Sequence, residues 1–389
     1  PGVVAAMASP RGCVVGWLLL FHTRSRSVHP PLSPFWQTER ASVLRRQRVG
    51  SPLMDFGFTL KAEHSVERTV ALFGQAEEAG FTYGWFWDNH VLWREIYPLL
   101  TVLATTTTTM RLGACVTNPT TRDPSVTASV LATLQEVSGG RMDLGMGRGD
   151  GAVRLLGLPP TKLKTMEHAI EVVRELAEGR SVDYKGTELD LTWTDRSKLP
   201  VWVAGYGPMA LALTGRVADG LILQIGDPAL VEWMAGTMRR AATEAGRDPG
   251  SIMVQVAAPA HVGDLDDCRE RTKWFPAMVA NHVVDLVNKY PREQLPESLI
   301  GYIRDREGYD YRHHAEVGSD NAQFVSDEVA DSFSIVGSPE EHVRRLVELH
   351  EAGVDQFNVY LMNGDEEAQL EVYGRDVIPA FKAAVGAAQ

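Results

Sequence analysis

Cysteine is scarce in this chain. Cys13, Cys115 and Cys268 are the only three in 389 residues and form no CxxC pair, which argues against a zinc ribbon or a disulfide framework and fits a reducing, cytoplasmic setting. Metal-binding spacings are missing too: the eleven histidines include neither HxH nor HExxH, the pairings that bring two imidazoles to one zinc ion, so no metal is expected. Long apolar runs are also lacking. CVVGWLLLF at 13–21 is about half the roughly 20 residues that span a bilayer. Basic residues are outnumbered, with 38 Lys and Arg against 50 Asp and Glu and a formal charge of -12. Such an acidic body repels a phosphate backbone, so neither nucleic acid nor a membrane is an expected partner.

The charge is unevenly placed. Residues 1–53 hold seven arginines, no lysine and one acid, so the rest of the chain is more acidic than the whole. This stretch is read as a poorly ordered, non-core extension, with a single folded domain over 54–389. An export or transit leader would have a similar arginine-rich, acid-poor composition.

From Met54 onward, short β-rich runs alternate with amphipathic stretches, the pattern of a parallel sheet wrapped by helices. Strands are expected at 54–60, 83–88, 111–117, 141–147, 200–205, 220–225, 251–257 and 356–362. Eight of them point to an α/β fold, a closed (β/α)8 TIM barrel. Glu-Ala-Gly recurs at 78–80, 244–246 and 351–353, each time where an amphipathic helix stops shortly before a strand. Ser338-Pro339-Glu340-Glu341 reads as a helix start, with Val343, Leu346 and Val347 as the buried stripe. The Glu-Ala-Gly turns mark one rim, so the strand ends open at the other, where barrel enzymes carry their sites. Two insertions interrupt the rhythm. The first, 155–199 after the fourth strand, contains a helix with Ile170, Val173 and Leu176 on one face. The second, 288–331 after the seventh strand, is rich in Tyr, His and charge and is expected to form a helical lid or a dimer element.

Residues 83–93, YGWFWDNHVLW, set five aromatic side chains around Asp88-Asn89-His90 at the end of the second strand. Trp85 and Trp87 alternate with Phe86, so at least one ring packs in the barrel or against a helix, whereas Trp93, past the strand, is expected in a pocket wall. Glu63 follows the first strand. GMGRGDG at 145–151 follows the fourth, its glycines letting backbone approach a ligand, with Asp150 near its end. AGYGP at 204–208 follows the fifth and leads into a helix whose N-terminus can take a phosphate. Each element has a plainer reading: the glycines serve tight turns, Glu63 is a solvated acid at a helix start, and Asp88 props a neighbour. His313-His314 is expected at the surface and Cys115 as a small buried residue.

Four segments, GFTLKAEHS (57–65), LGACVTNPTTRDP (112–124), SGGRMDLGMGRGD (138–150) and AGYGPMALALTGRVADG (204–220), resemble the luciferase-like flavin- and deazaflavin-dependent oxidoreductases. These are (β/α)8 barrels that include methylenetetrahydromethanopterin reductase and deazaflavin-dependent glucose-6-phosphate dehydrogenase. The resemblance runs from Met54 nearly to the end. It implies catalytic roles for Glu63, Asp88, Trp93 and Asp150, and a histidine where Asn89 stands. His90 is one place later and is favoured over Asn89, a small bulge turning it inward. The resemblance further implies a cis peptide at Cys115-Val116 behind the cofactor ring, with Thr117 and Asn118 beside it. Phosphate contacts would come from Gly147, Arg148 and Gly149 and from Gly207, Pro208 and Met209, with Ala204, Gly205 and Tyr206 on the same wall. Arg148, Lys162 and Lys164 would attract an anionic tail.

Three functions are open on this reading. The first is hydride transfer between coenzyme F420, a deazaflavin, and an unidentified small organic substrate. The second keeps the fold but uses reduced FMN and oxygen as a monooxygenase. The third is a flavin-binding barrel without catalysis. A homodimer is implied by the resemblance.

Overall fold

Eight parallel strands close into a ring in the computed structural model, which describes residues 53–291, 293, 295 and 308–386. They are β1 (Asp55–Leu60), β2 (Tyr83–Phe86), β3 (Arg111–Ala114), β4 (Met142–Met146), β5 (Val201–Ala204), β6 (Gly220–Leu223), β7 (Met253–Val262) and β8 (Gln356–Tyr360). Each pairs with the next, and β8 returns to β1. This is a (β/α)8 barrel, and all eight strands overlap the runs expected to form them. The expectation for the segment preceding Met54 lies, Leu53 apart, outside the described residues. β7 extends five residues beyond its expected end because its outer part pairs with an additional short strand, Ile335–Gly337. No helix among the described residues is long and apolar enough to cross a membrane.

Strand alternation sorts the rings of β2. Tyr83 and Trp85 stack on one another at 5.8 Å, and each meets Trp202 of β5 edge-on at 6.0 Å, filling the barrel interior. The indole Nε1–H of Trp85 donates to Gln356 Oε1 at 3.3 Å, so its one polar atom is satisfied. Phe86 faces the other way and stacks on Phe73 of helix Val66–Glu78 at 5.3 Å. Gly84 shares that outer face, where a Cβ would come within 2.4 Å of the Phe73 ring. Burying rings of this size contributes roughly 3 kcal/mol each, and that burial holds the second strand end in place.

The helix ends follow the sequence signals. Gly80, Gly246 and Gly353 all have positive φ (93°, 74° and 93°), the left-handed closure that glycine takes without a Cβ penalty. At the opposite rim Asp123, Asp227 and Ser338 each accept a backbone N–H as N-caps, and each is followed by proline. The buried stripe of helix Pro339–Glu351 is rotated from expectation: His342, Leu346 and Leu349 are buried, while Val343 and Val347 are half-buried. His342 goes inside because it finds partners there, the Tyr373 hydroxyl at 2.9 Å and the His261 carbonyl at 3.2 Å.

The first insertion forms helix Leu163–Ala177, which buries Ile170, Val173 and Leu176. A hairpin follows, Val182–Tyr184 with Thr187–Leu189. After β7 come helices Leu265–Thr272 and Trp274–Val287. The described part of the second insertion from 308 on holds two short 3-10 turns, Tyr311–His313 and Asp320–Ala322, before helix Asp327–Phe333.

Candidate functional site

The strand C-termini surround a cavity of about 570 Å³. Its wall takes Trp87, Asp88, Asn89 and Trp93 from the β2 end and Cys115, Val116 and Asn118 from the β3 end. The β4 loop adds Gly147, Arg148, Gly149 and Asp150, and the β5 loop adds Ala204, Gly205, Tyr206, Gly207 and Met209. The Cys115–Val116 peptide is cis, at the position the resemblance implied. Gly147 lies against it, and a Cβ there would sit 2.7 Å from Val116 Cγ2. The glycines at 145 and 147 are therefore close-approach positions as well as turn formers.

Four expected residues lie elsewhere. His90 is exposed and does not line the cavity, whereas Asn89 is buried on its wall. The preference for His90 is thus reversed, and the local reason is a turn. Asn89 Oδ1 accepts the backbone N–H of Val91 (3.2 Å) and Leu92 (3.3 Å), and its carbonyl accepts that of Trp93 (3.0 Å). The chain rotates about Asn89 and carries residue 90 outward with no inward bulge. Glu63 is also exposed, pairs with Lys61 at 3.2 Å and stays out of the cavity. Thr117 sits behind the wall, its hydroxyl donating to Asp88 Oδ2 at 2.6 Å. Pro208 is outside the lining, at the first position of helix Pro208–Val217. Trp87 lines the cavity and meets Trp93 at 5.9 Å, so the aromatic run divides between core and wall one residue earlier than the strand end suggested.

His314 was expected at the surface and instead lines the cavity, while His313 is exposed. Its ring lies 5.6 Å from Trp87 and stacks on Tyr311 at 6.0 Å, with Nδ1 bonded to the Tyr309 hydroxyl at 3.0 Å. Burial pushes its pKa down to about 4 against the opposing pull of Asp150, so the imidazole is neutral at pH 7. Helix Trp274–Val287 contributes Met278, His282 and Leu286, with His282 stacked on Tyr206 at 5.0 Å. The legible signal for that helix was the polar pair Asn281-His282 inside the otherwise apolar WFPAMVANHVVDLV.

Asp150 accepts the Tyr311 hydroxyl at 3.2 Å and the Arg154 guanidinium on Oδ1, while its buried Oδ2 has no hydrogen-bond partner among the described residues. Burial alone would raise its pKa, but His282, Arg154 and His314 outweigh that and hold it below the usual carboxylate value. Asp88 shifts the other way: burial raises it and the Thr117 hydrogen bond only partly compensates. Burial pushes the Cys115 thiol up to about 12, so it stays protonated and is no nucleophile. Tyr206, also held neutral by burial, donates to Gln224 Oε1 at 2.7 Å, and Gln224 donates in turn to the Tyr360 hydroxyl at 2.7 Å. Arg148 donates to the Thr161 carbonyl at 2.6 Å and, with Arg154, Lys162, Lys164 and Lys289, gives the lining five cations against two carboxylates.

The family model of luciferase-like monooxygenases matches residues 53–356. The chain belongs to that family. It is 31% identical to the 5,10-methylenetetrahydromethanopterin reductase of Archaeoglobus fulgidus, over 79% of this chain and 93% of that protein. It is 28% identical to the F420-dependent glucose-6-phosphate dehydrogenase of Microbacterium testaceum, over 84% of this chain and 97% of that one. Among solved structures, the coenzyme F420-dependent tetrahydromethanopterin reductase of Methanopyrus kandleri matches with a TM-score of 0.67 and 27% identity, covering 85% of this chain and all of that one. This chain has Asn89 on the cavity wall after the second strand, and His314 reaches the same cavity from the second insertion.

Proposed function

We propose that the chain is an F420-dependent oxidoreductase that moves a hydride between the deazaflavin and a small organic substrate. The observation that carries this reading is charge. A protein of net charge -12 gathers five cations and two carboxylates around its cavity, an environment suited to a ligand with an extended anionic tail. The donor set fits: a wall of Cys115, Val116 and Gly147 with little polar surface suits a planar ring, and Arg148, the backbone at Gly207 and Met209, and Lys162 suit a phosphate-bearing chain. When bound, the cofactor supplies the carbon that gives or accepts the hydride. The chain's residues orient it, exclude water through Trp87 and Trp93, and hold charge at Asp150. F420-dependent relatives support the same choice.

FMN with oxygen is the second reading, supported by the description of the matching family. Fluorescence titration of the purified protein with F420 and with FMN separates the two. Tighter binding of F420, and no oxygen consumption with reduced FMN above the rate of its spontaneous oxidation, is the expected result; preferential FMN binding with protein-dependent oxygen uptake refutes the proposal.

A further inference from the structure

Two carboxylates, Asp88 and Asp150, and two histidines, His282 and His314, face the cavity as acid–base candidates beside Asn89, and His282 is stacked on Tyr206. Asp150 is held ionised and already accepts from Tyr311 and Arg154. Asp88 is engaged by Thr117. His314 is placed differently. A Cβ built on Gly151 would lie 3.2 Å from Asn89 Nδ2 and 3.5 Å from both Cδ2 and Nε2 of His314. The Asn89 amide and the Nε2 edge of the imidazole thus flank the same glycine, directly after Asp150. Nδ1 is occupied by Tyr309, and no described residue hydrogen-bonds to Nε2.

We infer that His314 is the proton-exchanging group of this site, supplied from the second insertion where Asn89 provides none, and that the substrate carries a hydroxyl or carbonyl at the hydride-exchanging carbon. The inference rests on the oxidoreductase reading above. In the oxidising direction the substrate C–H bond breaks and its two electrons leave with the hydride for oxidised F420. The hydroxyl O–H bond breaks as well, its proton goes to Nε2, and the carbon–oxygen bond becomes a carbonyl. The step requires the tautomer in which Nδ1–H donates to the Tyr309 oxygen, 3.0 Å away, leaving the Nε2 lone pair free to accept. In the reducing direction the imidazolium returns the same proton. The charged and titratable groups facing this ring are Asp150 from the β4 loop, His282 from helix Trp274–Val287, Lys61 after β1, and Tyr309 and Tyr311 from its own segment. The Asp150 carboxylate stabilises the imidazolium that forms, and an iminium substrate, which takes a hydride without a proton, needs no such group.

The test uses the full chain and its His314→Ala, His314→Gln, His282→Ala and His313→Ala variants, each checked for native circular dichroism. All are titrated with F420, then assayed for F420 reduction with isopropanol and with glucose 6-phosphate. The expected result is F420 affinity within about threefold for both His314 variants, kcat lowered about 10²- to 10⁴-fold at similar KM, partial rescue of His314→Ala by added imidazole, and an unaffected His313→Ala. A His314 variant with kcat within threefold of the parent, or a comparable loss confined to His282→Ala, overturns the assignment. Binding of F420 by the parent without turnover of either alcohol overturns the inference and leaves the cofactor reading standing. Failure of the parent to bind F420 overturns both.

Discussion

Gly145 and Gly147 lie two residues apart at the end of β4, and replacing each by alanine is expected to have opposite consequences. A Cβ at Gly145 would stand 2.0 Å from the Ala114 carbonyl oxygen, well inside the 3.0 Å that Cβ atoms essentially never breach. That oxygen belongs to the neighbouring strand, so relief requires β3 and β4 to part. Overpacking against backbone of this kind costs about 3 kcal/mol or more, a fall in Tm of about 4 °C or more for a chain of this size. At Gly147 the offending atom is the Val116 Cγ2 methyl, 2.7 Å away on the cavity wall. A methyl can swing into the open space beside it at a cost of about 1 kcal/mol or less, but the wall then intrudes on the ligand. Gly147→Ala is therefore expected to keep a near-parental Tm and to weaken F420 binding about tenfold or more, equivalent to about 1.4 kcal/mol. Differential scanning calorimetry and fluorescence titration of both variants decide the matter. A Gly145→Ala protein that melts with the parent, or a Gly147→Ala protein that binds F420 as the parent does, refutes the assignment of these glycines to packing and to the ligand wall.

Trp93→Ala removes a half-buried ring from the cavity wall and should lower F420 affinity or turnover about tenfold while leaving circular dichroism unchanged; unaltered kinetics would place the ring outside the working site. The double variant Lys162→Gln, Lys164→Gln should weaken F420 binding several-fold at low ionic strength and much less in 0.5 M salt, since exposed charges are screened over about 10 Å at 0.1 M; a salt-independent loss would point to contact rather than field. His342 is fully buried with its pKa pushed down to about 4 from 6.5. Below pH 6.5 the unfolded chain takes up a proton that the folded one refuses until about pH 4, so about 3 kcal/mol of stability, present above pH 6.5, is lost across that window. Urea titrations between pH 7 and 4 on the parent and His342→Gln should show the pH dependence flattened by about that amount in the variant, and parallel curves would remove His342 as its cause.

The barrel was legible because its signals are local. Short β-rich runs, Glu-Ala-Gly stops and the Ser338-Pro339 helix start depend only on residues within a turn or two of one another, and β1 to β8, Gly80, Gly246, Gly353 and Ser338 all obeyed them. The glycine loops and Asp150 were legible for the same reason, since a strand end and its loop occupy a predictable place on a closed ring. β7 overran its expected end because the cause was a partner strand, Ile335–Gly337, distant in the chain.

Chain order alone determined which face of the barrel holds the cavity and which loops reach it. Only the tertiary structure decided which side chains point in. Whether residue 89 or 90 faces the cavity depends on the phase of one turn, set by three backbone donors converging on Asn89. That His314 enters at all depends on how an insertion folds back, as when Tyr311 reaches Asp150 across 161 positions. Local periodicity carries no information about contacts of that span, because they are fixed by the packing of whole elements against one another.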